Sequence, residues 1–371
     1  MNELYIGLMS GTSADGIDAA LVDFSQYSPQ MIATHYMPYT DVLRQKILAL
    51  CQEGDDEIKR LGELDIVLGK TFAQAVNDLL MSQKLSANCI KAIGSHGQTI
   101  RHHPRALCPF TLQIGDPNII AAETGITTVA DFRRKDIATG GQGAPLVPAF
   151  HQEILRSEKE HRAIVNIGGI ANISLLMRDC SANNIIGFDT GPGNVLMDAW
   201  MQLHHHQTRD ENGAWAAQGT LQPDLLEALL ADPYFQLAPP KSSGREYFNL
   251  AWLQTKLRAM DKTFLPIDVQ RTLAELTAVS ILNSIREYFS AGEMLICGGG
   301  VHNIFLMSRL RELAQPHLSV HSTEKYDLHP DWVEAVAFAW LAKQTLNRKS
   351  GNLPSVTGAT KPSILGGIYF A

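Results

Sequence analysis

Asp189 lies in Gly187-Phe188-Asp189-Thr190-Gly191-Pro192-Gly193-Asn194, after the apolar run Asn184-Ile185-Ile186 and before Val195–Trp200, which reads as the opening of a buried helix. A carboxylate is thereby expected where a strand ends and a glycine-rich turn begins, the place where α/β proteins bind ligands. The glycines let backbone approach a ligand closely. Asp and Gly are also ordinary turn residues, so the stretch admits two readings: a proton acceptor facing a ligand, or a turn carboxylate capping the next helix. Other groups have chemistry of their own. Ser10-Gly11-Thr12-Ser13-Ala14-Asp15-Gly16 is a turn dense in hydroxyls and amides, of a kind that binds anions. Gly168-Gly169-Ile170 is a tighter one, and Gly298-Gly299-Gly300 leaves room for a flat group, such as an adenine, against the backbone. Arg133, Arg134, Lys135 and Asp136 concentrate charge beside the flexible Gly140–Gly143 stretch, which suits gripping an anionic, hydroxyl-rich ligand.

These groups need elements to hold them. Glu3–Met9, Ile17–Phe24 and Gln30–Met37 read as an antiparallel meander. Two helices follow, the stronger over about Glu57–Lys84, where Ile58, Leu61, Leu68, Phe72, Val76 and Leu79 recur at mostly helical spacing. Ile90–Gly94 is a strand with Ser95-His96-Gly97-Gln98-Thr99 at its end; Thr111–Ile114 and Ile126–Ala130 are further strands. Asp116-Pro117 starts a helix, with Asp at the cap and Pro in the first turn. The second half repeats this outline: strand Ala163–Ile167, a glycine turn, returning strand Ala171–Met177, and then the Asp189 strand. A long helix is expected over about Pro266–Phe289, a strand over Met294–Cys297, and helices over His302–Leu313 and Asp331–Leu341. The predicted fold is α/β with two duplicated lobes, residues 1–131 and 132–347, with the tail 348–371 able to return to the first.

Bulk properties exclude some functions. With 371 residues the chain has room for two domains at ~150 residues each. Its net charge of −7 and lack of a long basic run argue against nucleic acid or an anionic membrane as its main partner. Five scattered cysteines, Cys51, Cys89, Cys108, Cys180 and Cys297, never form C-x-x-C, as expected of reduced thiols in a cytoplasmic protein. The N-terminus, from Met1-Asn2, shows no signal peptide, and no apolar run reaches ~18 residues. Neither a P-loop motif nor a dinucleotide-binding G-x-G-x-x-G after the first strand is present. His204–His206 reads as a solvated helix end, because successive helical side chains point apart.

Five spellings, in order, carry a resemblance: Met9-Ser10-Gly11-Thr12-Ser13-Ala14-Asp15-Gly16-Ile17-Asp18, Ser95-His96-Gly97-Gln98-Thr99, Asn166-Ile167-Gly168-Gly169-Ile170-Ala171-Asn172, Phe188–Asn194, and Cys297-Gly298-Gly299-Gly300-Val301-His302-Asn303. From residue 4 to the tail the chain resembles the anhydro-N-acetylmuramic acid kinases, of the actin, sugar-kinase and heat-shock ATPase superfamily. The resemblance implies two actin-like (ribonuclease H-like) lobes, each with a mixed five-stranded sheet flanked by helices, and nucleotide in the interdomain cleft. It implies that ATP, water and 1,6-anhydro-N-acetylmuramic acid become ADP and N-acetylmuramic acid 6-phosphate, the bridge opening as the freed oxygen is phosphorylated. It further implies a role in cell-wall recycling, a cytoplasmic location and a homodimer.

That reaction needs a base for the water and charge neutralisation for the phosphoryl group. Asp189 is the expected base. Glu334 lies in an almost wholly apolar helix, where a carboxylate is expensive unless paired or used. It would orient the water or a sugar hydroxyl, or else serve the helix dipole from the first turn. Gly11, Thr12, Ser13, Ala14, Asp15, Gly16, Ile17 and Asp18 would hold the ATP phosphates, with Gly168, Gly169 and Asn172 opposite and Gly298–Gly300 at the adenosine. Asp15 would ligate Mg²⁺ through water. Arg133 would take the sugar's lactyl carboxylate and Asp136 a hydroxyl; a charged hinge is the competing reading. His96 is open to two readings, a substrate contact or a structural histidine. Lys241-Ser242-Ser243-Gly244-Arg245-Glu246 suggests a mobile lid or a partner contact. Competing readings of the whole are a kinase for an ordinary sugar hydroxyl and a nucleotide-binding filament former or chaperone-like switch.

Overall fold

The protein is described here by a computed structural model covering residues 3–26, 28–178 and 185–371; Met1, Asn2, Cys180 and Asn184 lie outside the described residues. Two compact units emerge, one made of Met1–Ile154 and Trp332–Ala371, the other of Leu155–Asp331.

The first unit opens with β1 (Leu4–Ser10), β2 (Gly16–Asp23) and β3 (Gln30–Pro38). Both β1 and β2 are almost wholly buried, which is why their apolar runs are nearly continuous. Helices Asp41–Leu50, capped by the Thr40 side chain, and Glu57–Gln83 lead to β4 (Ile90–His103). Leu64, Leu68, Phe72, Val76 and Leu79 form the buried stripe of the longer helix, which stops where Lys84 turns left-handed. β5 (Phe110–Ile114), a helix capped by Asp116, and β6 (Thr128–Ala130) follow. The second unit has β7 (Arg162–Ile167), β8 (Ile170–Leu176), β9 (Ile186–Pro192), β10 (Gly292–Cys297) and β11 (Leu318–Ser322). Near the C-terminus β12 (Gly367–Tyr369) returns to the first sheet, antiparallel to β6.

The two sheets share one plan. Reading from one edge, the first runs β3-β2-β1-β4-β6 and the second β9-β8-β7-β10-β11. In each, the second strand is antiparallel to its neighbours and the later strands are parallel to the first. This is a duplicated actin-like α/β fold. The first sheet departs from the five strands expected: it has seven, because β5 folds back on β4 and β12 adds to β6.

Helix Val333–Leu346 lies on the first sheet, not in the second unit where it was expected. A Cβ on Gly7 of β1 would run into the Ala335 carbonyl, and one on Gly94 of β4 into that of Phe338. These two glycines let the helix backbone settle onto the strands. Its other side meets helix Val147–Leu155, with the Phe150 and Trp340 rings 6.0 Å apart. Covered on both sides, the helix is apolar nearly all round. Residues 132–154 also belong to the first unit, so the boundary expected after residue 131 moves to Ile154. A short loop-and-helix stretch resembles a linker locally; only its packing assigns it to a unit. The tail from residue 348 lies in the first unit.

Each unit has its own core. Ile6, Leu8, Ile17, Leu21, Leu68 and Phe72 are fully buried in the first. Val165, Ile173, Leu273, Ile281, Ile296 and Leu306 are buried to the same degree in the second. Each such side chain contributes roughly 1.5–3 kcal/mol.

Candidate active site

The β1–β2 turn of the first unit is shaped from beneath. Buried Ser10 has its Oγ 2.8 Å from the Gly16 carbonyl and 2.7 Å from Gln98 Oε1, and it accepts from the Tyr39 hydroxyl at 3.0 Å. Gln98 Nε2 donates to the Gly11 carbonyl at 3.1 Å. Ala14 has φ 49° and is buried, a conformation unusual for a residue with a Cβ. Among the described residues, no acceptor takes the N–H of Thr12 or Ser13. Free amides in a left-handed turn are what an anion needs. Ile17 is buried in the core, and a Cβ on Gly16 would collide with Tyr36, so both build the hairpin. Asp18 pairs with Met9 and Tyr36 across the strands. Asp15 is exposed at the tip, with Ser13 Oγ donating to Oδ1 at 2.8 Å.

Beside this turn is a charged cluster. Arg133 donates from Nε and Nη2 to His96 Nε2, at 2.9 and 2.8 Å, and from Nη1 to the Gly143 carbonyl at 2.8 Å. Burial and the Arg133 charge hold His96 well below its usual pKa, so it is a neutral imidazole accepting at Nε2. Burial also lowers the Arg133 guanidinium to about 10, against the pull of Glu334 and Asp136. Glu334, in the first turn of Val333–Leu346, is half-buried, and its pKa is raised by burial and eased down by Arg133. Among the described residues no group donates a hydrogen bond to it.

Asp136 is different. It is fully buried, with Oδ2 accepting from the Gly143 amide at 2.7 Å and Oδ1 from Asn352 Nδ2 and Thr357 Oγ1 at 2.6 and 2.7 Å. Its carboxylate ties the Gly140–Gly143 loop to the chain's tail and leaves no exposed oxygen for a sugar hydroxyl. His96 sits within β4, which runs on to His103, instead of at a strand end; Gly97, with φ 72°, marks the irregularity that suggested one.

In the second unit, Asn166, Asn172 and Asp189 are cross-strand partners on β7, β8 and β9, a polar row on one sheet face. The Gly168 and Gly169 carbonyls accept from the amides of Asn194, Gly193 and Val195 at 2.8–3.0 Å. This ties the turn to the start of helix Val195–His205. The outward side is open: a Cβ on Gly168 would meet nothing nearer than 3.6 Å, and one on Gly169 nothing nearer than 3.8 Å, from the Arg245 guanidinium. Gly298 has φ 79° and packs against Asn166, Gly300 packs against Ile167, and Gly299 is open.

Asp189 is half-buried. Its Oδ2 accepts the Ser243 amide at 2.9 Å, its own N–H donates to the Lys241 carbonyl at 3.1 Å, and its carbonyl accepts from the Tyr234 hydroxyl at 2.8 Å. Burial raises its pKa to about 6, with the Ser243 amide pulling down and Glu246 pushing up. A carboxylate poised there is ionised at neutral pH yet basic enough to take a proton. Sequence reasoning missed this role of Lys241–Glu246, because Ser243 is 54 residues from Asp189. Asn166, Arg245 and Asp198 were also missed; Asp198, on the adjoining helix, is raised to about 6 by burial, with Arg245 nearby. His204 and His205 end their helix exposed.

Among the described residues no cluster of three or more His, Cys, Asp or Glu could hold a metal alone. Exposed Asp15 beside unclaimed amides instead fits a hard cation that arrives with phosphates and keeps its waters.

A family model described as anhydro-N-acetylmuramic acid kinase matches residues 3–371. The anhydro-N-acetylmuramic acid kinase of Coxiella burnetii (strain Dugway 5J108-111) is 55% identical over 369 residues, 99% of this chain and 98% of that one. That of Pasteurella multocida is 52% identical over 367 residues, 98% and 96% of the two chains. Among solved structures, component A of (R)-2-hydroxyglutaryl-CoA dehydratase from Acidaminococcus fermentans aligns with TM-score 0.48 at 8% identity, over 91% of this chain and 96% of that one.

Proposed function

The chain belongs to the anhydro-N-acetylmuramic acid kinase family, and from that premise we propose how its residues share the work. The activity is that of an ATP-dependent kinase acting on anhydro-N-acetylmuramic acid, in peptidoglycan recycling. The observation that carries the residue assignment is Asp189: a half-buried carboxylate raised to about 6, held at one oxygen and open at the other.

Asp189 Oδ1 takes a proton from water, and the water oxygen forms a bond to the anomeric carbon. The bond from that carbon to the bridging oxygen breaks, the freed oxygen takes the γ-phosphoryl group, and ADP leaves. The growing charge on the bridging oxygen is thus discharged onto phosphorus, and no separate acid is needed. Glu334 orients the water or a sugar hydroxyl; its lack of a donor among the described residues supports this over a purely structural role. Arg133 meets the lactyl carboxylate with the N–H groups that His96 and the Gly143 carbonyl leave free, and His96 acts through Arg133. Asp136 is a positioning residue that fixes the loop behind Arg133.

The amides around Thr12–Ala14 and the open Gly168-Gly169 turn hold phosphate oxygens, with Asn172 beside them, and the Gly298–Gly300 turn lies against the adenosine. Mg²⁺, held through water by Asp15, would neutralise phosphate charge. We further propose a cytoplasmic homodimer; among the described residues no helix is long and apolar enough to cross a membrane.

The test is a coupled assay with ATP and the anhydro sugar. One ADP and one sugar phosphate should appear per bridge opened, and no ADP when N-acetylmuramic acid replaces the anhydro form. Bridge opening without ATP, or equal turnover of the two sugars, would overturn the reading.

A further inference from the structure

The segment Lys241–Glu246 has no part in the chemistry above, yet it touches the proposed base at more than one point. Asp189 is gripped at its backbone N–H by the Lys241 carbonyl and at Oδ2 by the Ser243 amide. Tyr234, just upstream, holds the Asp189 carbonyl. Among the described residues, Oδ1 has no protein donor. One oxygen is therefore fixed and the other left for a substrate.

The anchor of the segment is unusual. Lys241 is buried, but no carboxylate lies within ion-pair distance of it among the described residues. Its Nζ stands 5.6 Å from the centre of the Phe188 ring and 5.2 Å from that of Tyr234, and reaches the Tyr234 and Phe235 carbonyls only at 3.5 Å. Cation–π attraction thus fastens the segment to the residue preceding Asp189 and to the tyrosine on its carbonyl. Burial lowers the pKa of this ammonium, a cost that a purely decorative loop would shed by turning the lysine to water. Among the described residues the buried Ser243 Oγ has no hydrogen-bond partner.

We propose that Lys241–Glu246 is a strap that orients the Asp189 carboxylate through the Ser243 N–H, making Ser243 a positioning residue for proton abstraction. The proposal rests on Asp189 being the base. Among the described residues, the charged and titratable groups acting on Asp189 are Glu246 of the strap and Tyr234 behind it; Lys241 meets it through its backbone carbonyl, and Asn172, across the sheet, is neutral. An amide donor stabilises the ionised carboxylate, and a nearby carboxylate opposes it. Two residues of one strap thus act on Asp189 with opposite signs, which a loop that merely covers the site would not do.

The experiment follows the Asp189 carboxyl carbon by NMR titration in the full-length protein, alongside pH profiles of kcat. Ser243→Pro deletes the N–H and should raise the Asp189 midpoint by about one pH unit. It should move the acid limb of kcat upward equally and lower kcat at neutral pH about tenfold, with KM for ATP within twofold. Glu246→Gln should lower both the midpoint and the limb by a few tenths of a pH unit, a small effect because Glu246 is exposed. Unmoved midpoints, or shifts of one sign in both variants, would overturn the strap. If Ser243→Pro does not fold, Glu246→Gln decides alone: a fall supports the strap, and no change overturns it. The titration needs no turnover. A protein inactive on the anhydro sugar but showing the paired shifts would refute the proposed reaction and keep the strap.

Discussion

The two hairpin turns occupy the same place in duplicated sheets but are built in opposite ways. The β1–β2 turn is long, carries hydroxyls and an exposed carboxylate, and is propped by the buried side chains of Ser10, Gln98 and Tyr39. The β7–β8 turn is reduced to two glycines and held mainly by backbone, through the amides of Gly193–Val195, with Asn194 Nδ2 donating to the Ile167 carbonyl. The carboxylates differ in the same way. Glu334 of the first unit has no hydrogen-bond donor among the described residues, whereas Asp189 of the second is clamped at N, O and Oδ2. Duplication supplied one scaffold twice; the side chains then divided the labour, with polar equipment in one copy and close backbone approach and a tuned base in the other.

Five substitutions would break or sharpen that contrast. The largest effect is expected at the clamped carboxylate. Asp189→Asn should lower kcat about 10³-fold while ATP binding, read by calorimetry, persists. Its sign in stability is also defined. Asp189 binds its proton more tightly folded than unfolded, so its contribution is greatest at low pH and is lost as pH rises through about 6. At pH 8 the Asn variant should melt no lower than the parent; a large drop in Tm would make Asp189 structural.

Next is Asp136→Ala, which would strand the Gly143 amide, Asn352 and Thr357. About 3 kcal/mol of stability should be lost in denaturant titrations; an unchanged midpoint would return Asp136 to the substrate. Glu334→Gln should then lower kcat roughly tenfold at nearly constant Tm. A lower Tm with unchanged kcat would favour the helix-dipole reading. The smallest effects separate the faces of the glycine turn. Gly193→Ala would push a Cβ into the Gly168 carbonyl and destabilise by roughly 1–3 kcal/mol. Gly169→Ala, with 3.8 Å of clearance, should leave Tm alone and raise KM for ATP a few-fold.

Local chemistry made much of this legible. The turns at Gly11–Gly16 and Gly168–Gly169, the Asp116 cap and the long helix from Glu57 depend on neighbours a few residues apart, and the sequence displays them directly. Pairings across great sequence distance were hidden. Nothing near Asn352 announces Asp136, nothing near Ser243 announces Asp189, and Gly7 and Gly94 do not reveal which helix they make room for. The extra strand β5 was visible as an apolar segment but its partner was not, and for β12 only the return of the tail to the first lobe was expected, not the strand it joins. His96 was ambiguous for the same reason, since its neutral state is set by burial and by Arg133 from another element.

The first unit draws its helix Val333–Leu346 and strand β12 from beyond the whole of the second. Domains usually fold as units, N-terminal first, as the ribosome extrudes them. Here that order is reversed. Residues 155–331 are complete while the earlier sheet still lacks the helix for which Gly7 and Gly94 leave space, and Asp136 still lacks its partners on the tail. During translation the apolar face of β1 and β4 must wait for residues 333–346 to be made. The nascent first unit with that face uncovered is therefore the stage at which a chaperone would find this protein, and the arrival of helix Val333–Leu346 is the event that covers it.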